Sequence, residues 1–245
     1  MLTKTESSRA ALHVTALAYH AEPGLTPLSD EKTAVLARVP PGAHVLEVGA
    51  HTGYFSAQLR ARGCTVTALE VDPRAAPHAS RFADRVVVGD VEDPHVRAKL
   101  DGPFDVVLFM HVLEHLVDPW TTLGAMREML APGGLAIVLL PNVACWQVRK
   151  TLFFRGTFEY EETGILDRTH LRFFTLGSGR GLLEASGYVV RAWTPTGVCV
   201  PLERRISRVP ILRALAPVWH RWWLAWFPNL CTEIVLYEAV PRGKA

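Results

Sequence analysis

From residue 43 onward, short apolar runs alternate with stretches of helical periodicity, the pattern that builds parallel βαβ units. The runs His44–Val48, Thr65–Glu70, Arg85–Val88, Phe104–Met110 and Leu135–Leu140 predict strands, with helices Tyr54–Arg62, Arg74–Phe82 and Pro119–Leu130 between them. The stretch around Val96–Leu100 fits neither period. FDVVLFM and LAIVLL are apolar without alternation, as strands buried on both faces must be. Upstream, Ser29 is placed to cap a helix running through Leu36 to Pro40, with Asp30 and Glu31 in its first turn. Downstream of Pro141 the regularity weakens over an aromatic-rich stretch. It returns as a helix at Gly181–Ala185, a strand at Tyr188–Trp193 and a last strand at Glu233–Val240. Roughly forty residues separate those two strands, too many for a bare connection, and they are read as a helical cap. The expectation is an α/β chain with a doubly wound, mostly parallel seven-stranded sheet.

Composition narrows the class. The 245 residues are 49% hydrophobic and 20% charged, which excludes a mainly disordered chain. The longest apolar stretches fall short of the eighteen or so residues a spanning helix needs. Residues 1–20 mix Lys4, Glu6 and Arg9 with short apolar pairs and hold no signal-peptide core. Cys64, Cys145, Cys199 and Cys231 lie far apart with no CxxC spacing, which suggests reduced thiols rather than a zinc knuckle or redox pair. A cytoplasmic location is expected. A net charge of +2 argues against a nucleic-acid partner. The charge is uneven, however: Pro201–Pro228 holds Arg204, Arg205, Arg208, Arg213 and Arg221 against Glu203, together with four of the seven tryptophans. That segment suits a core cap, an aromatic platform for an acceptor, or peripheral membrane contact through 201–228.

The first loop carries the chemistry. In VLEVGAHTGYF, Glu47 closes a strand, Gly49 and Gly53 allow a sharp turn, and the helix that follows offers free amides to an anion. The second strand ends in Glu70, about twenty residues after the loop, where a carboxylate can accept both hydroxyls of a ribose. The third is followed by Gly89-Asp90-Val91, whose carboxylate can accept from an exocyclic adenine amine. Three strand ends thus supply three groups along one edge, where ligands bind in open α/β sheets.

With these segments, and with GDVEDP, FDVVLFMHVLEHLVDP and REMLAPGGLAIVLLPN, the chain resembles the class I S-adenosylmethionine-dependent methyltransferases, in particular their small-molecule and sugar branch. The resemblance covers roughly residues 40–142 and implies a Rossmann-like methyltransferase fold. It also implies that Glu47, Gly49 and Gly53 lie near the methionine part of S-adenosylmethionine, that Glu70 binds ribose, and that Asp90 with Val91 frames adenine. Ala50, His51, Tyr54, Val71, Met110 and His111 complete the implied cofactor set. His51 stands where the family usually has glycine, so either the loop keeps a compatible geometry or His51 contacts the ligand itself. The organisation expected is an N-terminal helical segment (1–40), the cofactor-binding core (41–141), a substrate-side insertion returning to the sheet (142–192), and the aromatic, basic cap with the last strand (193–245).

Rival readings share these residues. His111-Val112-Leu113-Glu114-His115 matches an HxxEH zinc pattern if a helix turns both histidines one way. The segment follows the strand FDVVLFM directly, where the resemblance places a metal-free VLEH, so no metal is expected. There Glu114 and His115 either anchor the sheet edge or, for His115, face the substrate. A nicotinamide dehydrogenase is disfavoured because the GxGxxG fingerprint is absent. The run Gly177–Gly181 does not follow the first strand and reads as a helix entry.

On the acceptor side, a sulfonium methyl needs mainly an aligned nucleophile and exclusion of water, but a hydroxyl nucleophile also needs a base, most often histidine. GILDRTHLRFFT supplies His170, with Asp167 three residues before it as a candidate to orient the imidazole. Catalytic candidates are therefore His170, Asp167 and His115, with Glu159, Tyr160 and Glu161 as possible pocket walls. The expected activity is O-methylation of a small molecule or saccharide. N-methylation of an amine and a non-catalytic cofactor-binding role are the alternatives, and the oligomeric state is left open.

Overall fold

The computed structural model describes residues 27–201 and 216–243. Helix α1 (Asp30–Arg38) begins at Ser29, whose hydroxyl accepts from the Lys32 amide, and leads into β1 (His44–Val48). There follow α2 (Tyr54–Ala61), β2 (Thr65–Glu70), α3 (Ala76–Ala79), β3 (Arg85–Val88), α4 (Pro94–Arg97) and β4 (Phe104–Met110). After a 3-10 turn at Leu113–His115 come α5 (Pro119–Arg127), β5 (Leu130–Pro141), α6 (Trp146–Arg155), α7 (Leu176–Ala185) and β6 (Tyr188–Val198). The chain closes with α8 (Ala216–Trp226), α9 (Pro228–Cys231) and β7 (Thr232–Pro241).

The seven strands form one sheet in the order β3-β2-β1-β4-β5-β7-β6. β1 to β5 pair in parallel, whereas β7 runs antiparallel to both β5 and β6. Both faces are packed: Leu46, Val48, Val107 and Phe109 join one buried cluster, and their neighbours Val45, Val106 and Leu108 join the other. That two-sided burial is why these strands read as unbroken apolar runs. The order reverses direction between β1 and β4, which opens a crevice beyond their C-terminal ends.

Several boundaries differ from the sequence expectation. The helix expected over Arg74–Phe82 is one turn, α3, with Pro77 in its first turn. The helix expected at Gly181–Ala185 starts at Leu176, because Thr175 and Ser178 cap each other reciprocally and absorb the glycine-rich run. β6 continues past Trp193 to Val198 along the sheet edge, where Pro195 sits beside a register shift. Cys145 and Cys199, remote in sequence, are buried side by side with their thiols hydrogen-bonded, and Cys199 also donates its backbone amide to the Cys231 carbonyl at 2.9 Å. Among the described residues no helix is long and apolar enough to cross a membrane.

Candidate active site

The crevice is the mouth of a continuous cavity of about 1390 Å³, lined by the ends of β1, β2 and β4, the loop after β3, α1, α6 and the 157–171 loop. Glu47, Glu70 and Asp90, from three neighbouring strand ends, all line it. The register sets Val48 beside Leu69 and Phe109, and Glu70 beside Val88, so the groups after these positions share one edge.

The loop after β1 turns on three left-handed residues, Gly49 (φ 73°), His51 (φ 51°) and Gly53 (φ 78°). A Cβ on Gly53 would lie 2.8 Å from the Ala79 backbone, so a side chain there would be strained and crowded. His51 therefore holds a backbone conformation that glycine would adopt freely, and it lines the cavity as well. Its amide donates to Glu70 Oε2 at 2.6 Å, while the Asp72 amide donates to Oε1 at 2.8 Å. These two bonds fix the plane of the Glu70 carboxylate and leave further lone pairs to accept. Burial pushes the Glu47 carboxyl up to about 7 against the opposing bond from Ser56 Oγ at 2.5 Å. Asp90 accepts from the Glu92 amide at 2.8 Å through Oδ1, which orients its carboxylate. Ala50, Tyr54, Val71, Val91, Met110 and His111 also line the cavity, whereas Gly53 shapes the turn from outside it.

Helix α1 adds two groups the sequence did not single out for this site. Lys32 lines the cavity with its ammonium 5.0 Å from the centre of the Tyr54 ring. Glu31 meets His111 Nε2 at 3.3 Å, and Glu114 meets the same ring at Nδ1, also at 3.3 Å. Both depend on tertiary approach, which no local pattern announces. Burial disfavours charge on His111, but the two carboxylates outweigh it and push the imidazole up to about 10. Burial likewise opposes the Glu114 charge, yet His111 holds that carboxyl below the usual carboxylate range.

The HxxEH reading takes a different form here. No helix spans His111–His115: His111 follows β4 in a left-handed conformation (φ 57°), and His115 closes the 3-10 turn. With both ring nitrogens of His111 facing carboxylates, the group among the described residues close enough to hold a metal ion is instead Glu114, His115 and His170, whose ligand atoms lie within 4.8 Å of one another.

On the acceptor side, His115 and His170 stack edge to face, with ring centroids 4.8 Å apart. His170 Nδ1 lies 3.1 Å from the Ile165 carbonyl and His115 Nδ1 3.2 Å from the Thr169 carbonyl. An acceptor at Nδ1 requires the proton there, so each neutral ring keeps its lone pair on Nε2. His170 Nε2 is 4.0 Å from Glu114 Oε1. Burial lowers the His170 pKa from its ordinary value, a shift that the Glu114 charge opposes. Asp167 does not orient His170 as expected. Its carboxylate takes the Thr169 amide at 2.7 Å and hydroxyl at 2.6 Å, and that hydroxyl lies 3.1 Å from His115 Nδ1, so Asp167 steadies His115 instead. Arg168 pairs with Glu162 at 3.0 Å rather than with Asp167. Glu159 and Glu161 line the cavity, but Tyr160 packs toward Phe158 and Phe173 outside it. Among the described residues, no tryptophan of α8 lines the cavity. Arg204, Arg205, Arg208 and Arg213 lie outside the described residues.

The methyltransferase domain family matches residues 20–192 of the chain. This chain belongs to that family. Its residues 20–192 form a methyltransferase domain, and they contain the motifs that imply the class I S-adenosylmethionine-dependent type. It is 36% identical over 105 residues to a ubiquinone biosynthesis O-methyltransferase of Caulobacter sp. (strain K31), covering 41% of this chain and 42% of that protein. It is 30% identical over 175 residues to the protein of the same name from Xanthomonas axonopodis pv. citri (strain 306), covering 65% and 72%. The chain spans about half the length of the first curated relatives it matches, 42% of one and 53% of another. Its fold is that of a solved S-adenosylmethionine-dependent methyltransferase from Thermotoga maritima, at TM-score 0.57 and 17% identity over 98% of this chain and 95% of that one.

The residues present fit the family's cofactor. Glu70 offers acceptors to a diol, Asp90 to an exocyclic amine, and Glu47 with Lys32 offers a carboxyl and an ammonium to an amino-acid moiety, all lining the same cavity.

Proposed function

We propose that this methyltransferase methylates a hydroxyl of a small molecule or saccharide, with His170 as general base. The observation that supports it is the imidazole pair beside the cavity, each ring pinned through Nδ1 to a carbonyl. S-adenosylmethionine, when bound, supplies a methyl made electrophilic by its sulfonium. Glu47, Glu70, Asp90 and Lys32 would hold it. Because burial keeps His170 neutral near pH 7, its Nε2 can take the acceptor's proton as oxygen becomes the nucleophile. Glu114, buried 4.0 Å away, then stabilises the imidazolium. His115, steadied by Thr169 and Asp167, forms the neighbouring wall and positions the acceptor.

Amine methylation is the second reading, favoured by Glu159, Glu161 and Glu233 on the acceptor side against a single Arg155, a setting that attracts a cation. Peripheral membrane contact through 201–228 keeps its basis in the part described, where Trp222, Trp226 and Phe227 are exposed beside Arg221. The test of the hydroxyl reading is His170→Ala assayed on hydroxyl and amine acceptors with a chelator present. Hydroxyl turnover should fall roughly 10²- to 10⁴-fold while affinity for S-adenosylhomocysteine stays unchanged. Full retention of hydroxyl turnover would remove His170 as base, and turnover that stops on chelation and returns with added cation would reassign the Glu114, His115 and His170 group to a metal.

A further inference from the structure

Helix α6 is turned the wrong way for an ordinary surface helix. It buries Val148 against Cys145, Leu166 and Cys199, yet leaves Leu152 at 51%, Phe153 at 82% and Phe154 at 71% exposure. The two phenylalanines meet edge to face at 4.9 Å. Arg149 and Lys150, each four residues before one of them, occupy the same side one turn earlier, and Arg155 follows. All three cations are exposed, and Trp146–Gly156 contains no acid. None of the three pairs with a carboxylate among the described residues. The inner side of the same helix, through Val148, Thr151 and Arg155, is a wall of the cavity.

We propose that this face of α6 docks on an anionic phospholipid bilayer, inserting Leu152, Phe153 and Phe154 at the headgroup boundary while Arg149 and Lys150 meet lipid phosphates. Peripheral anchoring takes two signals, an inserted apolar group and a basic cluster, and α6 supplies both within ten residues. Charge decides between occupants. A second copy packed about a two-fold axis would set these cations against the same cations with no acid on the helix to meet them. An anionic bilayer complements them. Docked this way, the cavity wall lies at the lipid surface, where an acceptor carrying a hydrocarbon chain can enter without crossing water. The proposal goes beyond the assigned chemistry and does not depend on which atom is methylated.

The experiment is co-sedimentation of the full chain with vesicles of phosphatidylcholine alone and of phosphatidylcholine with phosphatidylglycerol. Binding should occur only with the anionic vesicles and weaken with added salt. Phe153→Ser with Phe154→Ser should lower partitioning at least roughly tenfold, and Arg149→Gln with Lys150→Gln should abolish the preference for anionic lipid. Both pairs should keep the wild-type thermal midpoint, since the altered side chains are exposed. Wild-type protein left in the supernatant, or serine variants that bind as wild type, would overturn the proposal. So would a dimer in light scattering that the serine pair dissociates without lipid, since that would assign the face to a second copy.

Discussion

At the scale of the residue, the site depends on side chains whose charge state is set by what surrounds them. His170 is held below the ordinary histidine range chiefly by burial, so turnover should rise with pH and level off before neutrality. A rate profile with its inflection above the ordinary histidine range would contradict a neutral His170 base. Gly53→Ala should destabilise the chain by about 1–3 kcal/mol in denaturant unfolding, because it forces a left-handed side chain to within 2.8 Å of the Ala79 backbone. An unchanged midpoint would show that the turn yields. The positions of Glu47, Glu70 and Asp90 along the cavity were legible in the sequence because each is tied to a strand end, and strand ends follow from apolar runs. His51 was legible as an exception, and its left-handed backbone is the compatible geometry the loop required. The orienting group of His170 was not legible: spacing nominated Asp167, but a backbone carbonyl of the same loop holds the ring.

At the scale of the element, α1 is latched over the cavity through Glu31 and His111. Glu31 lies below the usual carboxylate range, first because of its bond to His111, so its stabilising share is present above that range and lost as pH falls through the lowered value. His111, pushed up to about 10, contributes fully below the ordinary histidine range and loses its contribution as pH rises toward about 10. Glu31→Gln should therefore trail wild type most in thermal midpoint near pH 6, and the gap should close by about pH 10. A gap that is constant across pH would mean the latch is packing alone. The strands were the most readable elements, since burial on both faces writes their pattern directly. Helix lengths were less so: α3 stops after one turn, and α7 starts early at a reciprocal cap whose local hydrogen bonds periodicity does not record. The exposed aromatics of α6 were legible only as an irregular stretch, because an element that keeps its phenylalanines outside has no inward period to read.

At the scale of the whole molecule, strand order brings together what the chain keeps far apart. Residues 47, 70 and 90 line one cavity because β1, β2 and β3 are neighbours, and residues 115 and 170 meet because the loop after α6 folds back over the end of β4. The fold and the strand-end side of the cavity were thus predictable from the sequence, whereas the side assembled from the 3-10 turn and the 157–171 loop required three dimensions. The central claim is that Glu47, Glu70 and Asp90 form one binding wall for the adenosyl cofactor. Calorimetric titration of S-adenosylhomocysteine into the wild type and into Glu70→Ala tests it most directly. One-site binding that weakens at least roughly tenfold in the variant is the result expected; no binding to the wild type, or equal affinity in a folded variant, would contradict it.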